Sequence, residues 1–203
     1  MFNRLLTAIR HPHRIIPHII FRIRLLQVSE VLVDGELFHR YKGERYPDYL
    51  NHGNACQFIA PKALAYCKGR GIDIGAGTWS LPGSIPIQDE PHMNAYKLDT
   101  FPDDSLDYVF SSHCLEHLDN WAEALSLWIS KLRIGGILFL YLPHESMKLW
   151  NPRGPWVANT HRWKPRHEIL LPFLSKRGME IVEYNASRDP YWSFHIVAKR
   201  IST

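Results

Sequence analysis

The sequence predicts an α/β fold built on one mostly parallel sheet. Three observations carry this. Short apolar runs alternate with helical segments from Arg70 onward, an order that calls for parallel strands joined by crossovers. The run Gly71-Ile-Asp-Ile-Gly-Ala-Gly77 sets a glycine turn directly after an apolar strand. Gly178 is followed by two apolar runs flanking residues 185–190, which predicts an antiparallel hairpin at the sheet's C-terminal edge.

Element by element, strands are expected at 70–74, 84–87, 95–98, 106–111 and 136–142, with helices over 119–133 and 166–177 and closing strands at 179–184 and 193–199. A further helical segment, Asn54 to Cys67, leads into the first of these strands. The connections 75–83 and 88–94 are too short for ordinary crossovers, since joining parallel strands usually takes roughly a dozen residues or more. The first crossover helices are therefore expected to be abbreviated, leaving part of one sheet face bare. The Ile- and Leu-rich N-terminal extension or a second copy in a homodimer would cover it.

The 203 residues suffice for one good core, and 45% hydrophobic with 22% charged content is ordinary for a globular chain. The expected division is an N-terminal extension, 1–45, and a single domain, 46–203. Within residues 1–28 stand five Arg and none of the chain's 20 acids, while the whole chain carries only +4. The body is thus close to neutral, a poor match for a polyanion, so nucleic acid is not the expected partner. Pro12 and Pro17 break the arm into pieces ahead of a helix from about His18 to Val28. It reads as an amphipathic arm packed on its own domain, as a membrane-surface or partner-binding helix, or as a presequence. Cys56, Cys67 and Cys114 form no C-x-x-C pair, which points to a reducing compartment and a cytoplasmic location, with membrane association through residues 1–28 left open. After the arm, Val31 to Val33 and Asp34-Gly35 read as a short strand and turn.

Two blocks follow the glycine turn: Lys97-Leu-Asp-Thr-Phe-Pro-Asp-Asp-Ser-Leu-Asp-Tyr-Val-Phe-Ser-Ser-His-Cys-Leu-Glu-His-Leu118, then Leu132-Arg-Ile-Gly-Gly-Ile-Leu-Phe-Leu-Tyr-Leu-Pro-His144. In this order the three blocks resemble the class I S-adenosylmethionine-dependent methyltransferases, in particular the small type 11 group, from about Tyr46 to the C-terminus. The resemblance implies a Rossmann-like methyltransferase sheet, S-adenosyl-L-methionine as cofactor, and methyl transfer to oxygen or nitrogen of a small molecule, a glycan or a lipid-linked precursor.

By the same resemblance Asp73 holds the cofactor's ammonium, while Gly75 and Gly77 let backbone N–H groups approach its carboxylate. The third glycine of the pattern D-x-G-x-G-x-G is Trp79 here. The ribose diol falls to Asp89, with Gln88 as the neutral alternative, and the adenine edge to Asp99 with Thr100 and Phe101. Ser112 and His113, at the exit of the fourth strand, contact cofactor or substrate. A base is needed only where the acceptor must lose a proton; His113, His144 and His161 are the candidates. Tyr46 and Tyr49 read as a lid or as packing aromatics. The loop Glu145 to Lys164, with Trp150, Trp156 and Trp163, reads as a specificity element. A fold that keeps the cofactor site without transfer activity is the alternative, suggested by Trp79 and Gln88. His113-Cys-Leu-Glu-His117 also spells the H-x-x-E-H of inverted zinc peptidases, but it starts at a strand exit and not within one long helix. No metal is expected, and Glu116 and His117 are read as structural.

Overall fold

The computed structural model describes residues 19–48 without 21 and 24, 54–149 and 160–202. Three strands come first: β1 Ser29–Val33, β2 Glu36–Tyr41 and β3 Glu44–Pro47, paired antiparallel in sequence order. Both hairpins turn on two residues with positive φ, Asp34-Gly35 and Lys42-Gly43, the type I′ geometry that matches strand twist. The first turn is the one expected; the second has no Asn or Asp to announce it. This small sheet ends at Pro47.

Helix α1, Cys56–Tyr66, then leads into the main sheet: β4 Gly71–Ile74, β5 Ile85–Ile87, β6 Leu106–Ser112, β7 Leu132–Pro143, β8 Met179–Tyr184 and β9 Ser193–Arg200. Helix α2, Trp121–Lys131, precedes β7, and α3, His167–Ser175, precedes β8. The order is β5-β4-β6-β7-β9-β8, with β5, β4, β6 and β7 parallel. Strand β9 runs antiparallel between β7 and β8, so the expected terminal hairpin is present with its second strand on the inside.

Period-two alternation sorts the sheet's side chains into two cores. Leu138, Leu140 and Leu142 of β7 join Ile72, Ile74, Val109 and Ile196 beneath α2 and α3. Phe139 and Tyr141 turn the other way, joining Tyr108, Phe110 and Val197 beneath α1. Gly71 permits that second layer: a Cβ there would lie 2.5 Å from the Tyr108 ring.

The strand expected at 95–98 does not form. The reason lies in its would-be neighbour. Ile87 O accepts from Gly75 N–H at 2.9 Å, so Ile87 turns its backbone toward β4 and Pro86 turns outward, with no N–H to offer another strand. Residues 88–98 instead run through tight turns pinned by the isolated bridges Glu90↔Met93 and Asn94↔Lys97. The Asn94 side chain stabilises them, donating to Glu90 O and accepting from Tyr96 N–H. Trp128 of α2, fully buried, reaches across and donates its indole N–H to Ala95 O at 2.8 Å. Because this bond anchors a segment outside the sheet, Trp128→Phe is expected to cost about 1–2 kcal/mol. Hydrogen exchange at 93–97 should rise more than in β6, and equal protection in both forms would refute the anchor.

Neither crossover helix is present between β4 and β6, as expected. Residues 1–18 lie outside the described residues, and so does Tyr49. The described part of the extension does not cover the β5 edge, where Ile85 is exposed. It packs instead through Val28 and Tyr41 in a cluster with Tyr46, Met147, Leu149 and Trp192, beyond the carboxyl end of β7. Tyr46 is fully buried, its ring 4.3 Å from that of Trp192, and is core rather than lid.

Candidate functional site

The order reverses at β4, which has β5 on one side and β6 on the other; connections leaving such neighbours diverge and open a crevice at their carboxyl ends. A cleft of about 350 Å³ lies there, lined by Gly75, Gln88, Asp89, Asn94, Tyr96 and His117 among others. That volume suits a small molecule, whose sites span roughly 300–1,000 Å³.

Its inner wall is the turn after β4. Gly75, at φ +80°, sits against Cys114: an added Cβ would lie 2.6 Å from Sγ and closer still to Cβ. The turn is stapled from beneath. Asp73, 1% exposed, accepts from Leu81 N–H at 2.7 Å, and Gln88 Nε2 donates to Gly77 O at 2.9 Å. Burial pushes the Asp73 carboxyl up to about 7, the Leu81 N–H opposing it. Burial also pushes the Cys114 thiol up to about 12, which leaves it a neutral wall and no nucleophile.

The expected residues divide. Gly75 and Asp89 line the cleft. Gly75 does so through its lack of a side chain, since its N–H is taken by Ile87 O. Gly77 and Thr78 stand outside the lining, exposed on the turn two and three residues past Gly75, and their N–H groups donate no backbone hydrogen bond to any described residue. Asp99 and Thr100 are exposed and stand outside the lining; Phe101 is buried in the main core. Ser112 also stands outside it, its Oγ buried without a hydrogen bond. Ser111 is taken by the fold, donating to Ile74 O at 2.9 Å.

None of the three expected bases lines this cleft. His113, at φ +50°, has Nε2 2.9 Å from Ser193 Oγ. His144 meets Ser146 Oγ at 2.8 Å through Nδ1. His161 is buried, with Nε2 3.8 Å from Glu116 Oε1. The histidine at the cleft is His117, on the 3-10 turn Leu115–His117. Asn94 and Tyr96 reach the cleft because 88–98 takes tight turns in place of the expected strand, a course its strand-like spacing does not announce; His117, visible in the H-x-x-E-H motif, is expected to be structural and lines the cleft. Trp79 is half exposed and outside the lining, so it does not plug the turn. Trp150 and Trp156 lie outside the described residues, while Trp163 stacks on Trp121 at 4.5 Å.

Solved structures share this architecture. An S-adenosylmethionine-dependent methyltransferase of Thermotoga maritima aligns with TM-score 0.58 and 17% identity, covering 75% of this chain and 93% of that one. One from Archaeoglobus fulgidus gives 0.54 and 21%, covering 75% and 97%. A Haloferax volcanii methyltransferase, solved in complex with the Trm112 methyltransferase activator, gives 0.55 and 15%, covering 71% and 89%. The fold is that of the class I methyltransferases. Residues 59–140, which hold the glycine turn, β4 to β6 and most of β7, match the methyltransferase domain family of type 11. The chain thus carries a segment that matches this family's model, on a fold shared with solved S-adenosylmethionine-dependent methyltransferases. No curated protein matches the sequence.

Proposed function

We propose that the cleft takes S-adenosyl-L-methionine and that the chain transfers its methyl group to oxygen or nitrogen of a small metabolite, a glycan or a lipid-linked precursor. The observation that carries this is a cleft at the switch point lined by Gly75 of the turn and by the Asp89 carboxylate, with the N–H groups of Gly77 and Thr78, further along the turn, bonded to no described backbone. The residues present fit the cofactor. Unused N–H groups of Gly77 and Thr78 suit its carboxylate, and the Asp89 carboxylate can accept from both ribose hydroxyls. Asp73 acts from behind by holding the turn. Asp99, Thr100 and Ser112 stand outside the lining and are given no direct contact in this reading.

When bound, the cofactor supplies an electrophilic methyl on a good leaving group, so alignment and exclusion of water do most of the work. The acceptor enters from the carboxyl ends of β6 and β7, where His113 and His144 directly follow these adjacent strands and can receive a proton from a hydroxyl or amine. The arm 1–28, with its five Arg, would bring a lipid-linked acceptor close. Among the described residues no helix is long and apolar enough to cross a membrane.

Calorimetric titration of the full chain with S-adenosylmethionine and its demethylated product tests the reading. Micromolar binding is expected, with Asp89→Ala weakening it about tenfold, the loss of roughly 1.4 kcal/mol of charged hydrogen bonding. No heat at concentrations well above micromolar would sink it. Binding without turnover on any hydroxyl or amine acceptor would favour a cofactor-binding protein that has lost transfer, a reading suggested by Gln88, which spends its side chain on Gly77 O.

A further inference from the structure

Beside the cleft a carboxylate is buried among imidazoles. Glu116 is 0% exposed, and neither of its oxygens has a hydrogen-bond partner. Around Oε1 lie His113 Nδ1 at 3.4 Å, His117 Nε2 at 3.8 Å and His161 Nε2 at 3.8 Å. A carboxylate buried beside imidazoles normally forms charge-assisted hydrogen bonds of about 2.7–2.9 Å, and these contacts are all longer.

The spacing matches another arrangement. Donors about 2.0–2.1 Å from a tetrahedral ion stand about 3.4 Å from one another. The ligating atoms of Glu116, His117 and His161 lie within 4.8 Å of one another, so a small inward shift would close them on a single ion. Their orientation is fixed by the fold. His117 Nδ1 meets Thr160 O at 3.0 Å, which makes Nδ1 the protonated nitrogen and leaves the Nε2 lone pair facing Glu116. The segment carrying His161 is clamped to the 3-10 turn by Arg162 N–H on Glu116 O at 2.8 Å and Trp163 Nε1–H on Leu115 O at 2.9 Å. The rings of His117 and His161 meet edge to face, 4.7 Å apart.

We propose that Glu116, His117 and His161 form a binding site for one divalent transition-metal ion, entered from the cleft past His117. Two imidazoles and one carboxylate favour zinc, cobalt or iron(II) over magnesium, which prefers an all-oxygen shell. Three protein donors leave a coordination position open. His113 approaches the same carboxylate from the opposite end of the motif and positions it. The peptidase arrangement is excluded by geometry, because His113 lies outside the short 3-10 turn that carries His117 and the two do not share a continuous helix.

The test uses the full chain stripped with chelator and titrated with zinc and, separately, cobalt(II) at pH 7.5. One equivalent with submicromolar zinc affinity is expected, together with visible cobalt bands of a four- or five-coordinate N/O site. Glu116→Gln and His161→Ala should each weaken zinc at least tenfold. Far-ultraviolet circular dichroism and S-adenosylmethionine titration report whether each variant has kept its fold and cofactor site. Binding to the parent chain is read on its own, so a misfolded variant does not remove the test. No stoichiometric zinc or cobalt on the parent chain, or unchanged affinity in a folded His161→Ala variant, overturns the proposal. Methyl-donor binding is scored separately and is unaffected by either result.

Discussion

Gly75→Ala is expected to abolish S-adenosylmethionine binding and to destabilise the chain by at least about 2 kcal/mol, on the scale of overpacking in a filled interior. Two effects add. At φ +80° the backbone lies where residues with a Cβ are strained by roughly 1 kcal/mol. The new methyl would also sit 2.6 Å from Cys114 Sγ and closer to its Cβ, on a segment that leads straight from β6 into the 3-10 turn. That segment cannot retreat, because His113 N–H is bonded to Tyr141 O at 2.8 Å. Relief must come from the turn, which opens the cleft floor and breaks the Gly75–Ile87 bond. Gly75→Ala with Cys114→Gly removes the collision but keeps the strain, so thermal unfolding should recover more than half of the lost stability. If Gly75→Ala alone binds the cofactor with parent affinity, the close approach is not what shapes the site.

What could be read from the chain and what could not divide along one physical line. Leu138 to Leu142 alternate because a strand buries two faces, and α2 and α3 announce themselves by helical spacing on one face. Their positions follow from periodicity. Residues 88–98 have apolar residues at strand-like spacing, yet Pro86 denies them a neighbour, and this was legible: a proline in a short strand marks an edge. The cluster at Glu116 was only half legible. His113-Cys-Leu-Glu-His117 is visible as a motif, but His161 comes from across a long loop, and the Trp163, Arg162 and Thr160 bonds that bring it alongside follow no local pattern. Asp73 was visible as the acid ending β4. That it faces the underside of its own turn depends on where Leu81 returns, which no local pattern fixes.

The stability difference between Asp73→Asn and the parent should grow by a few kcal/mol in favour of the variant as pH rises from about 4 to 8. Asp73 has its pKa raised in the fold to about 7 by burial, against 3.8 as its ordinary value. Between these values the folded chain holds a proton that the unfolded chain releases, so stability falls as pH rises and levels off above about 7. Three pH units at about 1.4 kcal/mol each set a ceiling near 4 kcal/mol. Asn keeps an oxygen for Leu81 N–H and has no proton to lose, so it is spared this penalty. The comparison must be a difference, because Asp103, Asp107 and Glu183 have lowered values and act oppositely, weakening the parent and the variant alike as pH falls. Denaturant unfolding at pH 4, 6 and 8 gives the three points. A flat difference would mean that Asp73 is ionised in the fold throughout. The same proton bears on ligand binding. An ammonium brought near the turn favours the charged carboxylate, so cofactor titrations at pH 6.5 in buffers of different ionisation enthalpy should show proton release from the parent and none from Asp73→Asn.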